Sequence, residues 1–374
     1  MMKPMSRLSG AIVAAYVTAM SSIAASQVIR MPDWAIGPFS RPLNVNPLIK
    51  PDPNAEFLCP MRQKSVRWES LHTFNPAAAV HDGKVFLLYR AEDDSGTMRM
   101  GMHTSRLGLG ISDDGLDFAR ESAPVFYPAE DQQKRYEWNG GCEDPRLIVS
   151  DDGVYVLTYT QWDRKTARLA VATTSDFVHW QKHGPAFARA YQGRYLNLSS
   201  KSGAIVGQLQ GGQLTAAKIN GRYWMYWGAG EVHLATSGDL IDWSPVETEP
   251  GKLLVALPRR SGKFDSALVE GGPPAVFTQK GIVVLYNGQN DRSNGDPSLN
   301  PGAYAVGQAL FDAHDPTKLL ARLDGPFLRP EMPYEKTGQY EAGTTFCEGL
   351  IRFHGRWLLY YGCADSFVGV AVSQ

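Results

Sequence analysis

The chain has 374 residues and is nearly neutral, with 37 basic against 38 acidic side chains. It has no cationic surplus to neutralise a phosphate backbone, which excludes nucleic acid as a partner. A hydrophobic content of 43%, with 9 Trp, 16 Tyr and 15 Phe, is enough for a large core and excludes intrinsic disorder. At the N-terminus, Lys3 and Arg7 precede an uncharged stretch over 8–29, followed by small residues from Ser22 to Ser26. This pattern reads as an export signal over residues 1–26, leaving 27–374 as one mature domain in the periplasm or outside the cell. The apolar part, 10–20, is shorter than the roughly 20 residues a membrane span needs, so no stable membrane insertion is expected.

From residue 77 onward one pattern recurs five times: a short apolar run, a turn containing Gly, then an aromatic-rich run. The turn glycines are Gly83, Gly153, Gly221, Gly281 and Gly355. Asp82-Gly83, Asn220-Gly221 and His354-Gly355 are hairpin signals, because Gly accepts the positive φ that tight hairpin turns require. Intervals of 60 to 74 residues leave room for a second hairpin, visible as Ser112-Asp113-Asp114, Thr174-Ser175-Asp176 and Ser237-Gly238-Asp239. Four strands per unit and five units predict an all-β, five-bladed β-propeller. The last unit stops at Gln374 after about three strands, so residues 35–70 are expected to supply its outer strand.

In a propeller the innermost strand of each blade lines the channel. The start of that strand and the end of the next share one face. Strand starts are expected at Asn75, Glu143-Asp144, Gln213, Glu270 and Glu348, and strand ends at Arg90, Trp162-Asp163, Glu231, Asn287 and Asp365. A mouth lined by carboxylates, amides, Arg and Trp suits a sugar: acids for proton transfer, amides and Arg for hydroxyls, an indole for stacking.

The motif Gly141-Cys142-Glu143-Asp144-Pro145-Arg146, with Thr104-Ser105-Arg106-Leu107-Gly108, Glu270-Gly271-Gly272-Pro273-Pro274 and Tyr360-Tyr361-Gly362-Cys363-Ala364-Asp365, resembles glycoside hydrolase family 130, the mannoside phosphorylases and mannosidases. The resemblance spans most of the mature chain. It implies an inverting reaction on a mannose-containing oligosaccharide or glycan, with Asp144 as general acid acting through a substrate hydroxyl. It also implies that Arg90, Arg106 and Arg146 hold the non-reducing mannose or an adjoining anion. Phosphorylases of the family carry a phosphate-binding lysine after the second blade. Lys201 matches that lysine, but its surroundings do not match.

Glu231, Glu270 and Glu348 stand where carboxylates would repel phosphate and activate water. Glu231 and Glu270, from adjacent blades, are the expected bases, with Glu348 third. The pattern is similar to the exported β-1,2-mannosidase branch. The alternatives are a phosphorylase releasing mannose 1-phosphate and a mannoside-binding propeller without catalysis. Asn75, Trp162, Asn287 and Asp365 complete the expected substrate contacts, and loops 127–139 and 290–304 the leaving-group side. No cofactor is called for. The eight histidines show no metal-ligand spacing, the 290–297 loop departs from the EF-hand pattern, and no G-x-S-x-G elbow occurs. Cys59, Cys142, Cys347 and Cys363 are widely spaced and read as buried free thiols, with a Cys347–Cys363 bridge as the alternative.

Overall fold

The computed structural model describes residues 31–373, so the expected export signal lies outside the described residues. Antiparallel sheets follow one another along the chain. The first blade is His72–His81, Lys84–Glu92, Ser105–Ser112 and Ala119–Arg120, each paired with the next. The second is Gly141–Val149, Tyr155–Trp162, Ala167–Thr174 and Gln181–Pro185. The third is built on Arg222–Trp227, Val232–Ser237 and Trp243–Pro245. The fourth contains Gly281–Gln289, Tyr304–Phe311 and Leu319–Arg322, its inner strand split into Leu268–Gly271 and Ala275–Thr278. The fifth is Thr345–Phe353, Arg356–Cys363 and Phe367–Ser373, completed by Phe39–Ser40 from the start of the described chain. The architecture is the five-bladed β-propeller, with the expected N-terminal strand closing the last blade.

Turn chemistry explains the repetition. Asp82 and Gly83, Asn220 and Gly221, and His354 and Gly355 all have positive φ at both positions, which matches the twist of the flanking strands. Between third and fourth strands, one Asp carboxylate caps two amides of each turn: Asp114 takes those of Leu116 and Asp117, Asp176 those of Val178 and His179, and Asp239 those of Ile241 and Asp242. The core lies in the seams between blades. Val85, Leu87 and Tyr89 of the first blade pack with Tyr360, Val368 and Val370 of the fifth. Likewise Tyr226 and Leu234 of the third pack with Val284 and Tyr286 of the fourth. Each fully buried large side chain contributes about 1.5–3 kcal/mol. All four cysteines are buried and free, as read from their spacing.

The third blade departs from the expected register. Ala204–Gln210 pairs with Tyr226 and Met225 only at its start. It then runs out into a hairpin with Gln213–Ala216 and beside Ala275–Thr278, before Lys218–Ile219 returns to the blade. The tip of that hairpin is Gly211-Gly212, both at positive φ. Gln213 therefore belongs to an inserted hairpin, and Lys201 with Ser202 takes its expected place at the mouth.

Ring closure depends on hydrogen bonds as well as packing. Asn46 acts as a surrogate strand residue: its Nδ2 donates to the Val370 carbonyl at 2.9 Å and its Oδ1 accepts the Val370 amide at 2.8 Å. Leu48 and Ile49 continue the contact through both backbone groups of Val368. Asn46→Ala leaves both Val370 groups without these partners. It is expected to lower unfolding free energy by about 1–3 kcal/mol, measured by denaturant titration, with the site described below unaltered.

Candidate active site

At the mouth the inner strands are deliberately irregular. The pairing register slips between Phe74 and Pro76 in the first blade, between Glu143 and Arg146 in the second, and between Cys347 and Gly349 in the fifth. The residues at these bulges are Asn75, Asp144 and Glu348. A bulge bends the strand and re-aims one side chain, which is how a pleated strand directs a polar group along the channel. Asn75 and Asp144 hold φ of 47° and 49°, a left-handed conformation that Asn and Asp accept more readily than other side chains. In the fourth blade the break falls at Gly272-Pro273-Pro274, two residues after Glu270.

These irregularities converge on Arg90. Its Nη1 donates to Asp144 Oδ1 at 3.0 Å, its Nη2 to Glu92 at 2.6 Å and Glu143 at 2.9 Å, and its Nε to Ser105 Oγ at 3.0 Å. Phe74 lies 4.7 Å below the guanidinium. Asn75 Nδ2 donates to the same Asp144 oxygen at 2.8 Å. Lys201 Nζ stands 3.9 Å from the other Asp144 oxygen and 3.1 Å from Glu270 Oε1, which also accepts from Ser202 Oγ. Glu270 Oε2 carries no hydrogen bond to the described residues.

Above this network lies a cavity of about 320 Å³ walled by Arg90, Glu143, Trp162, Lys201, Gln339 and Asp365, among others. Its size and its mix of one indole with charged and amide groups fit a sugar ring. The carboxyls divide sharply in proton affinity. Burial alone would raise Asp144, but Arg90 and Lys201 beside it, with the Asn75 hydrogen bond, hold it well below the usual carboxylate range. Glu143 is pushed up to about 7, chiefly by burial, with Asp144 and Glu92 adding repulsion that Arg90 only partly offsets. Asp365 rises to about 7 for the same reasons. Burial drives Glu348 far above its usual value against the opposing pull of Arg146. Environments that separate neighbouring carboxyls in this way create an ionised member and proton-holding members within one site.

The sequence-derived residues sort by location. Asp144, Arg90, Lys201, Trp162 and Asp365 meet at or directly beneath the cavity, with Asn75 and Glu270 immediately behind. Four others do not reach it. Arg106 is buried against Asp93 and Cys59. Arg146 is a pin between blades: its Nε and Nη2 donate to the Gly272 and Gly271 carbonyls at 2.9 and 2.8 Å, and its Nη2 pairs with Glu348 at 3.1 Å. Glu348 is fully buried beneath it. Asn287 clamps Cys347, donating to its carbonyl at 3.1 Å and accepting its amide at 2.8 Å.

Glu231 does not face Asp144 across the channel as expected. Ala229 is paired opposite Glu270, so Glu231 lies two residues further along, about 7 Å. It lines an adjoining depression with Arg259, Ser266 and Asp291. The sequence placed Glu143 at the mouth beside Asp144 without giving it a role, and the bulge at Asp144 lets both consecutive acids face one site. Glu92 and Gln339 were not anticipated, and Gln339 sits on a loop with no repeat to mark it.

The family model described as beta-1,4-mannooligosaccharide phosphorylase, glycoside hydrolase family 130, matches residues 46–374. A 1,2-beta-oligomannan phosphorylase from Thermoanaerobacter sp. (strain X514) is 31% identical over 311 residues, covering 82% of this chain and 91% of that protein. Among solved structures, one comes from work on glycoside hydrolases within this family of mannoside phosphorylases that target β-1,2 mannosidic linkages in Candida mannan. It superposes with a TM-score of 0.90 at 54% identity, covering 91% of this chain and 95% of that one. A glycosyl hydrolase from Bacteroides ovatus gives the same TM-score and identity, covering 92% and 95%.

The split in proton affinity is open to test through stability. Asp365 binds its proton more tightly folded than unfolded. Its favourable contribution is therefore fully present below about pH 4 and lost as pH rises through about 7. Asp365→Asn removes that dependence. Its unfolding free energy relative to the parent should rise between pH 5 and pH 8 by about 2–3 kcal/mol, read from paired denaturant titrations.

Proposed function

Since the chain belongs to glycoside hydrolase family 130, whose enzymes act on β-mannosidic linkages, we propose that it is an exported inverting β-mannosidase that transfers β-1,2-linked mannose to water rather than to phosphate. The observation that carries this reading is the state of the cations. Arg90 is shared by Glu92, Glu143 and Asp144, Lys201 by Asp144 and Glu270, and Arg146 is held by Glu348 and backbone carbonyls. A phosphate dianion would have to break these pairs and face their carboxylates at close range, where like charges cost several kcal/mol. Similarity points the same way: 54% identity to the structure from the hydrolase study against 31% to the oligomannan phosphorylase.

In this reading the mannose ring lies in the cavity against Trp162, with its hydroxyls meeting Arg90, Lys201 and Asp365. Asp144 delivers the proton to the glycosidic oxygen through a substrate hydroxyl. Asp144 is ionised in the free site, so the proton it delivers is first drawn from Glu143, which shares the Arg90 guanidinium with it and holds a proton near neutrality. Glu270, with Oε2 free and Lys201 fixing Oε1, accepts the proton of the attacking water. Glu231 stands at the rim, where water and the leaving sugar pass.

Incubation with β-1,2-mannobiose should release mannose at a rate independent of added phosphate. Stoichiometric mannose 1-phosphate would make Lys201 and Arg90 a phosphate site and overturn the proposal. Glu270→Gln is expected to lower kcat at least about 10²-fold, with folding retained.

A further inference from the structure

Three side chains able to ligate a metal meet beside the cavity, and only Glu92 among them belongs to the Arg90 network just described. His72 opens the inner strand of the first blade, Glu92 ends the next strand directly opposite it in register, and His103 lies in the following loop. Each offers one ligand atom, and these atoms all lie within 4.8 Å of one another. The surroundings are organised for an occupant. His72 Nδ1 is 2.9 Å from Ser366 Oγ, which orients the ring and leaves Nε2 unused, the usual arrangement behind a ligating histidine. His103 is 5% exposed, yet its Nδ1 has no hydrogen-bond partner. Glu92 commits Oε1 to Arg90. Its Oε2 accepts a hydrogen bond from Gln339 Nε2 at 3.3 Å, and the Gln339 amide oxygen is buried and unpartnered. Two orphaned buried polar atoms around one carboxylate are costly, and native structures rarely leave them so.

We infer that His72, Glu92 and His103 form a binding site for a divalent transition-metal ion. Two imidazoles and a carboxylate are the donor set that zinc(II) favours, with further positions left open. Charge permits it. Glu92, Glu143, Asp144 and Asp365 crowd this side of the mouth, and Arg90, the nearest opposing cation, is already divided among three of them. The ion would lock Glu92, and through it the guanidinium that holds Asp144. It positions the site and takes no part in the chemistry. The separations of 20 and 11 residues between the ligands match no metal motif, so only the hairpin pairing brings them together.

The test uses tag-free mature protein, stripped with chelator and dialysed against zinc(II). Elemental analysis should find one zinc per chain, and crystals soaked in zinc(II) should show an anomalous peak at the zinc edge between the three side chains. His103→Ala should lose the bound zinc, while His314→Ala, at an exposed loop, keeps it. Absence of the peak, a peak elsewhere, or full zinc retention by His103→Ala overturns the proposal. The anomalous peak is read on the unaltered protein, so it decides the question even if His103→Ala does not fold.

Discussion

One guanidinium shared by three carboxylates sets the terms for the rest of the mouth. Arg90 reaches Glu92 and Glu143 through one nitrogen and Asp144 through another. A charge this deeply buried is tolerated only because all three of its nitrogens donate hydrogen bonds, and the acids in turn are tolerated only because Arg90 is there. With more carboxyls than cations around it, the group cannot be fully ionised. Protons remain on Glu143 and Asp365, where burial and neighbouring acids outweigh the pull of Arg90, while Asp144 stays charged between Arg90, Asn75 and Lys201. Proton storage and the proposed exclusion of phosphate thus have one electrostatic origin.

The propeller supplies what such a knot needs. Inner strands from different blades arrive at one mouth, and each contributes a polar residue at a bulge or break rather than along the regular pleat. Where the pleat is regular, side chains belong to seams of Val, Leu and Tyr. The polar pins behind the cavity, Arg146 to the carbonyls of Gly271 and Gly272 and Asn287 to Cys347, fix the blades against one another at the height of the site. Rigidity there is a condition for keeping Asp144 charged next to neighbours that are not.

Much of this was legible in the sequence. Asp-Gly, Asn-Gly and His-Gly turns marked the hairpins because few residues accept their backbone geometry, and Asn75-Pro76, Asp144-Pro145 and Glu270-Gly271 stood at strand starts. What could not be read was which face each polar residue takes. A one-residue step sends a side chain from the cavity to the seam behind it. Arg106, Arg146, Asn287 and Glu348 occupy mouth-level positions yet serve packing, while Glu143, next to Asp144, reaches the cavity. The inserted hairpin of the third blade exchanged Gln213 for Lys201 and Ser202, since Gly211-Gly212 reads as one more turn among many. Glu231 missed the centre by two residues, in the bend after Ala229–Gly230, where the pairing of that short strand with Glu270 and not its composition sets the distance.

The account stands on where the protons sit, and that is directly measurable. Carbon-13 NMR of the side-chain carboxyls, assigned with Glu143→Gln, Asp144→Asn and Asp365→Asn, follows each group through a pH titration. The account predicts midpoints near 7 for Glu143 and Asp365, and an Asp144 signal that stays ionised to the lowest pH at which the fold survives. Midpoints near 4 for Glu143 and Asp365, or a neutral-range midpoint for Asp144, would contradict it.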